Sequence, residues 1–224
     1  MRPLITGLLM ATALPALADG TATMESGSGQ NHAVVEVSWA GDDLRMDFPD
    51  QSQAGFMLLK DGKGYMVSDM QGQTVIMEMA KLREMAEGMA GDAGAETPMA
   101  DEQASEVNSL EATGETETVA GVEGELYRMS WTDKAGNRHD NELVLSDDAR
   151  VRELSAGFDA YQQSMTGEAD AVAAALAERE LGLLRFGDRF RLTSLSGESP
   201  DTARFELPED AQTFEDMMGS ALSQ

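Results

Sequence analysis

Few side chains in this chain are equipped for catalysis. Its 224 residues include no cysteine and two histidines, His32 and His139. A serine nucleophile needs an oriented imidazole beside it. His32 lies in the small, polar stretch DGTATMESGSGQNH and His139 in the polar stretch NRHDNE, so the sequence gives neither a rigid seat. His139 is expected as a solvent-exposed turn residue, and no G-x-S-x-G elbow occurs. Carboxylates are plentiful, with 41 Asp and Glu. None stands in the marked apolar strand context that would set a pair apart for acid–base work. Asp133–Glu142 is acidic but lacks the D-x-[DN]-x-[DN]-G spacing of a calcium loop. The chain is expected to be non-enzymatic, with no cofactor and no metal site.

The methionines are the other candidates. Met77, Met79, Met85 and Met89 fall in MEMAKLREMAEGMA. Thioether sulfur suits Cu(I), and methionine is also an adaptable filler of cores and grooves. At ~100° per residue, Met79, Leu82, Met85, Ala86 and Met89 share one helix face about 120° wide, while Met77 points away and belongs to the preceding strand. Leu82 and Ala86 cannot be ligands, so an apolar packing face is expected and Cu(I) binding is the remote alternative. Arg45, between acids in DDLRMDF, is expected on a surface charge ladder. Arg185, Arg189 and Arg191 in LLRFGDRFRL are expected to pair within the molecule.

The elements that would position these residues begin with a period-2 pattern. Val35, Val37 and Trp39 alternate, as do Leu44, Met46 and Phe48; Ala54–Lys60, Tyr65–Ser68 and Thr74–Met77 follow. Asp61-Gly62 is a hairpin signal, and the unbroken apolar run Phe56–Leu59 implies a sheet covered on both faces. After the Met-rich helix, residues 88–109 form a Gly/Ala/acidic insertion expected to be flexible; no lysine or arginine occurs between Glu84 and Tyr127. Strands resume at Leu110–Thr118, Val122–Thr132 and Asn141–Ser146. Helical spacing returns at Leu154, Phe158, Tyr161 and Met165. Thr166 is placed to cap another helix, Glu168–Glu180. Leu183–Phe186, Arg189–Leu195 and Ala203–Leu207 are expected as closing strands. About ten strands and three helices, with long strands paired in sequence, give an α+β fold. It is expected as a curved antiparallel sheet, an open half-barrel, with helices packed on its concave face.

Composition bounds the setting. Met1-Arg2, the apolar run Leu4–Leu14 and Ala16-Leu17-Ala18 have the form of a cleavable signal peptide over residues 1–18, cut after Ala18. The run is shorter than the ~20 residues a spanning helix needs, and without cysteine there is no lipid anchor. A soluble periplasmic protein is expected, with a disordered N-terminus at 19–32, a single domain at 33–214 and a C-terminal tail at 215–224. The net charge of −25 argues against nucleic acid and against anionic headgroups as partners.

Several stretches carry a family resemblance: LRMDF, YMVSDMQGQTVIMEM, TGETETVAGVEGELYRMSW and LPEDAQTFEDM. Together they resemble family 4412 of the secreted bacterial domains of unknown function, over roughly Val34 to Phe214. That family in turn is similar to the periplasmic carrier and receptor proteins of outer-membrane lipoproteins. The resemblance implies a half-barrel whose concave apolar side holds a lipid, an acyl chain or another amphiphile, with helices as a lid. The residues expected to line such a site are Met46, Phe48, Phe56 and Leu58 on strands, Met79, Leu82, Met85 and Met89 on the lid, and Phe158 and Tyr161 on the later helix. The alternative is a structural or protein-interaction module of the cell envelope, with a filled core and no ligand.

Overall fold

The computed structural model describes residues 19–28, 31–51, 55–70, 72–90, 103–214 and 216–217. In chain order the elements are β1 (Gly20–Ser28), β2 (Asn31–Ala40), β3 (Asp43–Asp47), β4 (Phe56–Lys60), β5 (Lys63–Met70), β6 (Gln73–Glu78), α1 (Met79–Ala90), β7 (Ala104–Val119), β8 (Val122–Asp133), β9 (Arg138–Ser146), α2 (Ala149–Thr166), α3 (Ala171–Ala177), β10 (Gly182–Phe186), β11 (Phe190–Ser196) and β12 (Gln212–Thr213). A 3₁₀ turn, Thr202–Phe205, precedes β12. The fold is α+β: among the described residues, one open sheet of twelve strands in the order β12-β6-β5-β4-β3-β2-β1-β11-β10-β9-β8-β7, with three helices. Every pairing is antiparallel except the short β12 against β6.

The sheet curls strongly. β7 touches β11 although three strands separate them in the sheet order. α2 lies along the inner face and reaches β3, β4 and β5 on one side and β10 on the other. Its first turn is capped by Asp148, whose side chain accepts from the Arg150 N–H, and it ends at Gly167, held at φ 77°. Two glycines bring the sheet close to α2. A Cβ at Gly182 would stand 2.5 Å from the Val151 backbone, and one at Gly64 would stand 2.3 Å from Ser164 Oγ. The core therefore packs directly onto α2: Val151, Leu154 and Tyr161 join Val37, Trp39, Leu44, Met46, Leu59, Leu184 and Leu192 in one cluster.

A second cluster lies on the opposite face of the β8–β10 half, where Leu143, Leu145, Met129 and Trp131 meet Leu176 of α3. Leu143, Val144 and Leu145 are all buried to 1 % exposure or less, because that half of the sheet is covered on both sides. The same holds at Leu58 and Leu59, as the apolar run through them implies.

The structure departs from expectation at several boundaries. Residues 20–28, expected as part of a disordered N-terminus, form β1 in the middle of the sheet, between β2 and β11. The strand has only Ala22 and Met24 to bury, and two long partner strands supply its backbone pairing. A Cβ at Gly20 would lie 2.4 Å from the Trp39 ring, so the absence of a side chain there lets the indole pack. β7 starts at Ala104, inside the expected flexible insertion, whose residues 91–102 lie outside the described residues. α3 is shorter than expected because Asp170, rather than Thr166, caps it, accepting from the N–H groups of Val172 and Ala173. The expected strand at 203–207 is the 3₁₀ turn. Residues 1–18, expected as a signal peptide, and residues 215 and 218–224 of the expected tail lie outside the described residues. No described helix is long and apolar enough to cross a membrane.

Candidate ligand-binding site

Strand register sorts the side chains of β3 to β6 into two faces. Leu44 pairs with Leu59 and Leu59 with Gly64; Met46 pairs with Met57, Met57 with Met66, and Met66 with Met77. These rows face α2. The alternate rows, Arg45–Leu58–Tyr65–Glu78 and Asp47–Phe56–Val67–Ile76, point to the outer face. The inner face thus carries a ladder of four methionines, one from each strand. Met46 and Met77, at its ends, are buried, and Met57 and Met66, in its middle, are half-buried.

An apolar pocket of about 180 Å³ opens where α1 leaves β6. Met77 and Leu82, Met85 of α1 form part of its wall; Tyr65 and Ile76 of the outer face, with Leu207 and Phe214 from the C-terminal segment, complete the rest. Its charged members are Glu78 and Lys81. Glu78 lies 3.5 Å from Lys63 Nζ, so its charge is matched at the rim. A dry cavity of about 150 Å³ is large enough for benzene, whereas sites for whole drug-sized ligands start near 300 Å³. The pocket is therefore sized for one end of a lipophilic molecule or for a single bulky apolar side chain.

The residues named from the sequence fall into separate places. Leu82 and Met85 line the pocket. Met79 lies beside Gly64, its Cγ 3.6 Å from where a Cβ would stand. Met46 of β3 and Tyr161 of α2 are buried in the same core cluster, with Phe48 and Phe158 packed against it. Phe56 and Leu58 are on the outer face, where the Arg45 guanidinium lies 3.6 Å above the Phe56 ring. The side chain of Met89 is outside the described residues. The pocket residues missed from the sequence are Tyr65, Ile76, Met77, Glu78, Lys81, Thr213, Leu207 and Phe214. The last two are the first and last residues of LPEDAQTF, and only tertiary contact brings them to β5 and β6.

Tyr161 carries an unusual hydroxyl. It is buried without a hydrogen-bond partner among the described residues, and burial pushes its pKa up to about 12. Ser68 Oγ, two residues past Met66 on the same face of β5, is also buried without a partner among them. Ser130 Oγ on β8 is a further buried hydroxyl without a partner among them, so such groups occur in both halves of the sheet.

Three polar clusters hold the sheet in shape. Arg45 donates to Asp47 and to the Arg204 carbonyl, and Arg204 donates to Asp47 at 2.7 Å, which fastens the 3₁₀ turn to the outer face. Arg45 thus anchors a partly buried cluster rather than an exposed ladder. Glu117 of β7 accepts from Arg185 of β10 at 3.0 Å and from Arg191 of β11 at 2.8 Å, and the two guanidiniums hold its carboxyl below the usual range against the opposing effect of burial. This is the internal pairing expected of Arg185 and Arg191.

His139 is a strand residue rather than a turn residue. It pairs with Trp131 across β8 and β9 and stacks on it, with centroids 4.3 Å apart, while Trp131 Nε1 donates to Asn141. Its Nε2 lies 2.8 Å from Asp133 Oδ2. The sequence concealed this cluster because the turn residues surrounding it masked the strand alternation. Compared with protein-family models and with characterised proteins, the chain matches none of them.

Proposed function

We propose that this protein is a non-catalytic binding protein of the periplasm, taking a lipid, an acyl chain or a similar amphiphile by its apolar end. The observation that carries this reading is the pocket beneath α1, walled by Tyr65, Ile76, Met77, Leu82, Met85, Leu207 and Phe214. Burying hydrocarbon there gains about 0.8 kcal/mol per CH₂ group before association costs. Native mass spectrometry of the full chain purified from its own cells tests the reading. The expected spectrum contains a bound mass of lipid size that organic extraction removes. A ligand-free mass, together with no uptake from added lipid, would contradict it.

A second reading has its own support. The centre of the inner face is filled by α2, with Val151 and Leu154 buried to 1 % exposure or less, as in a structural or interaction module. On that reading the pocket would receive a side chain of a partner protein, and purification would recover a stoichiometric protein complex rather than a lipid.

A further inference from the structure

The C-terminal segment 207–214 supplies one side of the pocket through Leu207, Thr213 and Phe214. Its root is firm. Just upstream, Phe205 is buried, Arg204 donates to Asp47 at 2.7 Å, and the Arg204 carbonyl accepts from Arg45 at 2.9 Å. Past that root the hold is light. β12 pairs with β6 through two residues, Gln212 beside Val75 and Thr213 beside Ile76, and both of its side chains are exposed. This is the parallel pairing of the described sheet, and parallel pairs are slightly the weaker kind. Leu207 and Phe214 are half-buried. The bonds from Ala211 to the Pro208 carbonyl and between Thr213 and Asp216 are local to the segment.

The other sides of the pocket are held more firmly. β5 and β6 pair across six residues each, from Tyr65 with Glu78 to Met70 with Gln73. α1 follows β6 without a break and is tied to α2, where Arg83 donates to the Met165 carbonyl at 3.3 Å. We propose that residues 207–214 form a strap that gates the pocket, swinging on the Thr202–Phe205 turn to admit the apolar end of an amphiphile and then closing over it. The inference rests on the lipophilic-ligand reading and adds the moving part. Local opening takes place where the fewest contacts must break. A gate of this kind sets the rates of entry and release rather than the affinity.

The chain's lack of cysteine allows a clean crosslink. Val75→Cys, Gln212→Cys places two thiols on facing residues of β6 and β12, within reach of a disulfide, and neither position lines the pocket. The full-length variant is compared oxidised and reduced by stopped-flow binding of cis-parinarate, a fluorescent fatty acid, with thermal melts to show that both states are folded. Oxidation is expected to slow uptake and release together, at least about tenfold, and to leave the affinity within about twofold, while the reduced form tracks the parent. Equal uptake rates in the two folded states overturn the inference and leave the ligand reading standing. No saturable binding by the parent overturns both. Hydrogen exchange on the parent tests the strap without any substitution. The amides of β12 are expected to exchange at least about tenfold faster than those of β5, and to slow when cis-parinarate is bound. Amides of β12 as protected as those of β5, or unchanged by bound probe, overturn the inference.

Discussion

His139 Nε2 lies 2.8 Å from Asp133 Oδ2, while the histidine ring stacks on Trp131 two residues before that aspartate. The hydrogen bond from His139, aided by those from the Asn137 backbone and side chain, outweighs burial and lowers the Asp133 carboxyl from an ordinary value of 3.8 to about 2. A carboxyl whose folded pKa is depressed stabilises the fold above its unfolded value and loses that contribution as pH falls through the folded one. Asp133→Asn is therefore expected to melt below the parent at neutral pH, with the gap closing as pH falls from about 3.8 through about 2. Thermal melts across that range check it, and a gap that stays constant with pH would contradict it.

Glu117 joins strands that are not neighbours in the sheet. It reaches from β7 to Arg185 on β10 and Arg191 on β11, and so draws the curled end of the sheet together. Glu117→Gln leaves two guanidiniums facing an uncharged amide. The loss is expected to be roughly 1–2 kcal/mol, since the carboxylate is partly exposed and solvent screens part of the charge. Urea denaturation measures it. Loss of Glu117 in an Arg185→Gln, Arg191→Gln background should cost much less, and an equal cost there would show that the ion pairs are not the cause.

Arg45→Ala tests the fastening of the C-terminal segment. Arg45 bonds both Asp47 and the Arg204 carbonyl, and its removal also exposes the Phe56 ring. With those contacts gone, the 3₁₀ turn should open about tenfold more often, a change of ~1.4 kcal/mol. The readout is the rate of tryptic cleavage after Arg204, mapped by mass spectrometry. Cleavage at the parental rate would show that the turn is held by Phe205, which is buried, rather than by the guanidinium.

Hairpins and the long helix were legible in the sequence because each is specified locally. Asp61-Gly62 marks the β4–β5 turn, and the steps from Leu154 to Met165 mark α2. β1 was not, because only Ala22 and Met24 face inward and its stability comes from strands distant in sequence. The run Phe56–Leu59 announced burial on both faces but gave no parity. Pairing of Met57 with Met46 and Met66 turns the odd-numbered residues inward and leaves Phe56 and Leu58 on the outer face. The methionine ladder depends on register across four strands, which no window of sequence contains. Leu207 and Phe214 reach the pocket only through the return of the C-terminal segment.

If the α1 face closes over a lipophilic ligand, a charge placed at Met85 must weaken binding. Met85 lines the pocket from α1 and is half-buried. An aspartate there puts a carboxylate where hydrocarbon is proposed to lie, and desolvating it is costly. Titration of a fluorescent fatty acyl probe into the parent and Met85→Asp decides the matter. Saturable binding by the parent is expected, with at least a tenfold loss in the variant, about 1.4 kcal/mol, and only a modest drop in the melting temperature of the ligand-free variant. A parent that binds no probe, with a variant that fails to fold, would contradict it and identify the face as plain core.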